Sequence, residues 1–231
     1  MYSFNFLGKD SYEDFGIVVE KRPIIPKPAR NVQYFEVEGR SGSLRVDDET
    51  YKDIIIPLSC GFKDDDVATK ADMIKSWLDS GEGKLIFSNQ VDRYYIAHVV
   101  EQIDITQEWK VFGQFSINFR CKPFKYAVNN DLVTMTAPGT IINQGTQASL
   151  PVIKIYGTGT INLYINSETI RLSNIADYIV IDSVLMDAYR DTQLMNANML
   201  GDFPKLETGV NDLSWDGTVT KVEITPNWMW L

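Results

Sequence analysis

Few residues in this chain have the type and spacing to do chemistry. His98 is the only histidine, set between apolar neighbours in "YYIAHVV". A general base or a metal ligand needs companions at defined spacing, and none flanks it, so a partly buried structural imidazole is expected. Cys60 and Cys121 are the only cysteines. One disulfide could join them on paper, but both fall in strand-like runs, and two reduced core thiols are expected. "DDD" at 64–66 carries three carboxylates. The ligand spacing, central glycine and closing glutamate of a calcium loop are missing, so helix capping is the expected role. Asp47 and Asp48 form a carboxylate pair in what reads as a polar loop. "GRSGS" at 39–43 places Gly39 and Gly42 three apart before an apolar strand, whereas a phosphate cradle needs backbone N–H groups converging at a helix start. Here the glycines suit a tight connection with positive φ. No cofactor, metal or enzymatic activity is expected.

The composition bounds the partners. The net charge is −9, from 22 basic and 31 acidic residues. Residues 1–125 hold 17 basic and 20 acidic groups, and residues 126–231 hold 5 and 11. An acidic chain without a basic run lacks the footprint of a nucleic-acid binder. No apolar run approaches the ~20 residues of a membrane helix. The opening "MYSFNFLGKD" has no basic stretch ahead of an apolar core, so a secretory leader is not expected.

Most of the elements that must position these residues read as strands. In "WKVFGQFSINFRCK", Trp109, Val111, Phe115, Ile117, Phe119 and Cys121 fall on one face, and Lys110, Gln114, Ser116, Asn118, Arg120 and Lys122 on the other. "LIFSNQVDRYYIAHVV" gives two strands joined around Asn89 to Arg93, and the run Ile54, Ile55, Ile56 suggests a strand covered on both faces. One helix is expected over about 65–80, with Val67, Ala71, Ile74 and Leu78 in a stripe and Gly81 as its stop. Pro123 and Asn129–Asn130 place a boundary near 126. Beyond it, "PVIKIYGTGTINLYI", "TIRL", "YIVIDS" and "VEITP" are regularly spaced strands of an all-β sandwich. Trp215, Trp228 and Trp230 lie in this half; core packing and strand ends are their leading role, and a weak glycan- or partner-binding surface is the alternative.

Four stretches taken in order resemble the distal tail (Dit, baseplate hub) proteins of long-tailed phages and prophages of Gram-positive bacteria. They are "SYEDFGIVVEKRPIIPKPAR", "VEGRSGSLRVDDETYKDIIIPL", "IKSWLDSGEGKLIFSNQVDRYYIAHV" and "CKPFKY". "NQGTQASLPVIKIYGTGTINLYIN" and "MLGDFPKLETGVNDLSW" match the family's second domain more loosely.

The resemblance implies a mainly β, two-domain chain. Residues 1–126 would be a ring-forming, tail-tube-like β-barrel or sandwich with one flanking helix, and residues 127–231 a galectin-like β-sandwich. It implies a homohexameric ring joining the tail tube protein to the tip or tail-associated lysin protein, with receptor-binding proteins anchored at its periphery. The ring would be found in the virion tail tip, after assembly in the host cytoplasm. Residues 35–58 would form a ring-building hairpin through Gly39, Arg40, Gly42, Leu44 and Tyr51. Because genome DNA passes through such a lumen, Asp47, Asp48, Glu49 and Asp53 are expected to face the channel, which avoids binding phosphates. The alternative is a carbohydrate-binding module for host cell-wall glycans.

Overall fold

The computed structural model describes residues 1–109 and 111–231, with side chains at all of these except 107–109. It divides into two compact units, Met1–Lys125 with Leu231, and Tyr126–Trp230.

The first unit contains β1 (Phe4–Phe6), β2 (Lys9–Asp10), β3 (Ile17–Val19), β4 (Arg30–Phe35), β5 (Leu44–Tyr51), β6 (Ile54–Lys63), α1 (Val67–Leu78), β7 (Gly83–Phe87), β8 (Arg93–Val99), β9 (Thr106–Trp109) and β10 (Phe112–Ala127), the last running on into the second unit. The core sheet runs β2-β1-β7-β8-β10-β6-β3, with β9 paired to the start of β10, and β4-β5 form a separate two-stranded sheet. In β10, Phe115, Ile117, Phe119 and Cys121 are buried, as the period-two pattern requires. That pattern is not one strand from Trp109 onward. The chain turns between β9 and β10, which pair antiparallel with Phe112 opposite Trp109. Lys110 and the side chain of Trp109 lie outside the described residues.

Strand β6 corrects a second expectation. Ile54 and Ile56 are buried, but Ile55 is 39% exposed, so the isoleucine run has one dry face rather than two. β6 pairs with β10 over ten residues, with Cys60 opposite Phe115 and Cys121 opposite Ile54. Six residues of strand separate the two thiols, roughly 20 Å, far beyond disulfide reach. Both are free and buried, and burial pushes each thiol up to about 12.

Helix α1 starts at Asp66, whose carboxylate accepts from the Thr69 N–H at 3.1 Å. Its buried face carries Val67, Ala71, Ile74, Trp77 and Leu78. Trp77 stacks on Phe15 at 4.2 Å between ring centres and donates its indole N–H to the Phe6 carbonyl at 3.0 Å. One buried indole thereby fixes the helix, the β1 backbone and the turn before β3 together.

The second unit is a β-sandwich. It holds β11 (Val133–Met135), β12 (Gly139–Asn143), β13 (Val152–Ile165), β14 (Glu168–Ile175), β15 (Tyr178–Asp182), β16 (Asp187–Arg190), β17 (Gln193–Leu194), β18 (Met199–Leu200), β19 (Gly209–Thr225) and β20 (Met229–Trp230). The order is β11-β19-β13-β15-β16-β17, with β12 on β19, β14 on β13 and β18 on β14. The first half of β13 pairs with β15 and the second half with β14, so this long strand serves both layers. The changeover falls at Gly157, where the register with β19 shifts and a Cβ would sit 2.2 Å from the Thr218 carbonyl oxygen. Only glycine lets the two long strands approach there. Ile153, Ile155, Ile161, Leu163 and Ile165 fill the space between the layers.

Candidate functional site: an uncovered hairpin

β4 and β5 pair in register, with Gln33 opposite Val46, Tyr34 opposite Arg45 and Phe35 opposite Leu44. Alternation places Gln33, Phe35, Leu44 and Val46 on one face, and Val32, Tyr34, Arg45 and Asp47 on the other. Residues 36–43 close the hairpin, and Gly39 and Gly42 there have φ of +78° and +85°. Nothing lies within 4 Å of a Cβ at either position. Backbone conformation, not space, is what demands glycine.

Charge and aromatic contacts lock the base. The Arg30 guanidinium donates to the Asp47 carboxylate at 2.9 Å, and Arg45 donates to the same oxygen. Arg30 also lies over the Tyr51 ring at 5.3 Å, and Tyr51 meets Phe124 of β10 edge-on at 5.5 Å. The Arg30 hydrogen bond, reinforced by the Glu49 N–H, holds the Asp47 carboxyl below the usual carboxylate range. The Lys52 N–H closes the base on the Ala29 carbonyl at 2.8 Å.

Asp47 and Asp48 thus lie within β5 rather than in a polar loop, which corrects the sequence reading. Both strands carry polar groups on both faces, so neither shows the alternation that marks a half-buried strand. None of residues 29–53 is buried. Even so, Tyr34, Phe35, Val37, Leu44 and Val46 are between 41% and 65% exposed.

Of the residues singled out for this hairpin, Gly39, Arg40, Gly42 and Leu44 sit at or beside its tip, while Tyr51 sits at the base. The hairpin pair spans residues 30–51 rather than 35–58, because β6 belongs to the core sheet; Arg30 and Tyr34 fell outside the expected range, and Phe35, Val37 and Val46 fell within it without being singled out. The available signal was an apolar residue in both alternating registers, Val32 and Tyr34 in one and Phe35 and Val37 in the other. Of the four acids, Asp47 is paired with two arginines and Asp53 lies 4.0 Å from Arg120. Asp48 and Glu49 are exposed, with no ion pair among the described residues.

The tryptophan surface is overturned. Trp228 and Trp230 are each 8% exposed and belong to the sandwich core, and Trp215 packs against it half-buried. Trp228 and Trp230 therefore offer no open ring face for stacking. His98 is half-buried on β8, 3.9 Å from Glu82. Among the described residues, no group of three or more His, Cys, Asp or Glu is placed to hold a metal ion.

Residues 12–121 match the family model of the phage tail protein RIFT-related domain. The whole chain superimposes on the crystal structure of the Dit protein (gp 19.1) of phage SPP1 with a TM-score of 0.74. All of each chain is covered, at 16% identity. That protein is described as a paradigm of the hub adsorption apparatus in phages infecting Gram-positive bacteria. No curated protein matches this chain in sequence. Residues 12–121 thus match a phage tail RIFT-related domain, and the chain has the fold of the SPP1 Dit protein along its whole length.

Proposed function

We propose that the protein forms a six-membered ring at the tail tip, joining the tail tube to the tip protein and helping to anchor host-recognition proteins. The observation that carries this reading is the hairpin. An isolated two-stranded sheet is marginal in water, and an exposed cluster of aromatic and aliphatic side chains marks an interaction surface. Phe35, Leu44 and Val46 form an apolar strip that remains 41–49% exposed among the described residues. In a closed ring each copy offers one patch to a different patch on its neighbour. The hairpin is the element that crosses, and its neighbour completes the burial.

Residues 30–52 hold four basic and five acidic groups, so the hairpin brings almost no net charge to that contact. The first unit is then the ring-forming domain, and the sandwich of the second unit carries the peripheral partners. The acids of the hairpin divide into two roles. Asp47 is spent on the arginines that set the hairpin's base, while Asp48 and Glu49 remain to line a channel that genome DNA must traverse without sticking. Negative-stain microscopy of the purified chain tests the reading. Rings with a central hole are expected, and a field of single particles without them at high concentration would count against it.

A further inference from the structure

The basic groups of the first unit are not evenly spread. Residues 21–35 contain Lys21, Arg22, Lys27 and Arg30 and no acid, in a chain of net charge −9. The leading part of this stretch, residues 21–29, is a strap without regular structure, carrying Pro23, Pro26 and Pro28. Its backbone is fastened at the ends, where the Glu20 N–H reaches the Ser59 carbonyl at 3.0 Å and the Lys52 N–H reaches Ala29, and it rests on the unit through Arg22 over the Tyr2 ring at 5.8 Å and through buried Pro28. Between those points no backbone hydrogen bond holds it among the described residues. Ile24, at 76%, and Ile25 are exposed along it. Prolines keep such a segment extended, so little conformational entropy remains to be lost when it docks.

The complementary surface is on the same unit. A groove of about 500 Å³ runs between the last turn of α1 and the segment after β8. Asp79, Glu101 and Asp104 rim it, Val99, Val100 and Ile103 form its apolar part, and Lys75 is the one base on its wall. Val100 is 66% exposed. No hydrogen bond or ion pair among the described residues joins the strap to this groove. A basic strap with Lys21, Ile24, Ile25 and Lys27 exposed, and an acidic groove with Val100 exposed, have the complementarity that a head-to-tail contact requires.

We infer that the strap at residues 21–29 of one copy docks in the Asp79–Glu101–Asp104 groove of the next, with Ile24 and Ile25 against Val99, Val100 and Ile103. This rests on the ring reading and adds a second, electrostatic contact to the one made by the hairpin. Salt should weaken it, because its charges are exposed.

The test is a charge swap read by light scattering. Lys21→Glu with Lys27→Glu reverses the strap, and Asp79→Lys with Asp104→Lys reverses the groove. Each variant alone should need at least about tenfold more protein to assemble than the unaltered chain. Mixed one to one, the two should assemble as the unaltered chain does, because every reversed strap then meets a reversed groove. Combining all four changes in one chain should also restore assembly. If the unaltered chain assembles and the separate reversals do not weaken it, or mixing does not rescue them, the strap contact is wrong and the ring stands. If the unaltered chain stays monomeric at every concentration and salt, the ring reading fails and takes this contact with it.

Discussion

The core sheet of the first unit and the β4-β5 hairpin are built from the same residue types by opposite logic. In the core, Phe119 is wholly buried and touches Phe4 and Phe6 edge-on at 5.5 and 5.2 Å. In the hairpin, Phe35 and Tyr34 have backbone partners across the strand pair, but their rings stay open to solvent. Burial drives folding at about 25 cal/mol per Å² of apolar surface. The core gains that energy in full within one chain, whereas the hairpin residues leave about half of their surface in water. The core is therefore where the monomer's stability resides, and under the ring proposal the hairpin is where its capacity to assemble would reside.

Changes that separate the two should show it. Phe119→Ala should lower unfolding stability in urea by about 3–5 kcal/mol, the range for deleting a buried phenylalanine. A loss below about 1 kcal/mol would mean the core is not packed as described. Gly39→Val with Gly42→Val forces β-branched residues into left-handed backbone, at about 1–2 kcal/mol each. That strain stays in the hairpin, so the urea midpoint should hold while rings disappear. Rings that persisted would remove the tip from the interface.

Phe35→Asp with Leu44→Asp should move monomer stability by no more than about 0.5 kcal/mol, because both sites are exposed, and should still abolish assembly. The smallest effect concerns pH. The folded state holds the Asp47 carboxyl below its ordinary value, so the stabilisation it provides is present above that value. It fades only as the pH falls through the lowered one. Hydrogen exchange of the hairpin amides should therefore stay slow down to the ordinary carboxylate range and rise below it. In Asp47→Asn the exchange should be faster at neutral pH, without that acid step.

The same contrast explains what could be read from the sequence. Phe115, Ile117, Phe119 and Cys121 alternate with polar residues because one face of β10 is dry and the other wet, and that asymmetry is written in the residue order. The stripe of α1 was legible for the same reason, and Asp66 for its capping chemistry. β5 was not legible. With neither face buried inside the chain, "LRVDDETY" has no alternation to betray a strand, and its charges resemble a loop. Ile55 misled because three isoleucines in a row carry no record of which one faces out. Trp228 and Trp230 left two readings open, because an indole can fill a core or sit on a surface, and the packing decides for the core. The glycines at the hairpin tip were legible as a tight connection, because positive φ is a demand of the backbone itself.

The most direct test is the solution mass of the purified chain against concentration, measured beside the Phe35→Asp, Leu44→Asp variant. The unaltered chain should reach about six times its 26.3 kDa mass while the variant remains a folded monomer. An unaltered chain that stays monomeric throughout, or a variant that assembles equally well, would contradict a ring held by the hairpin.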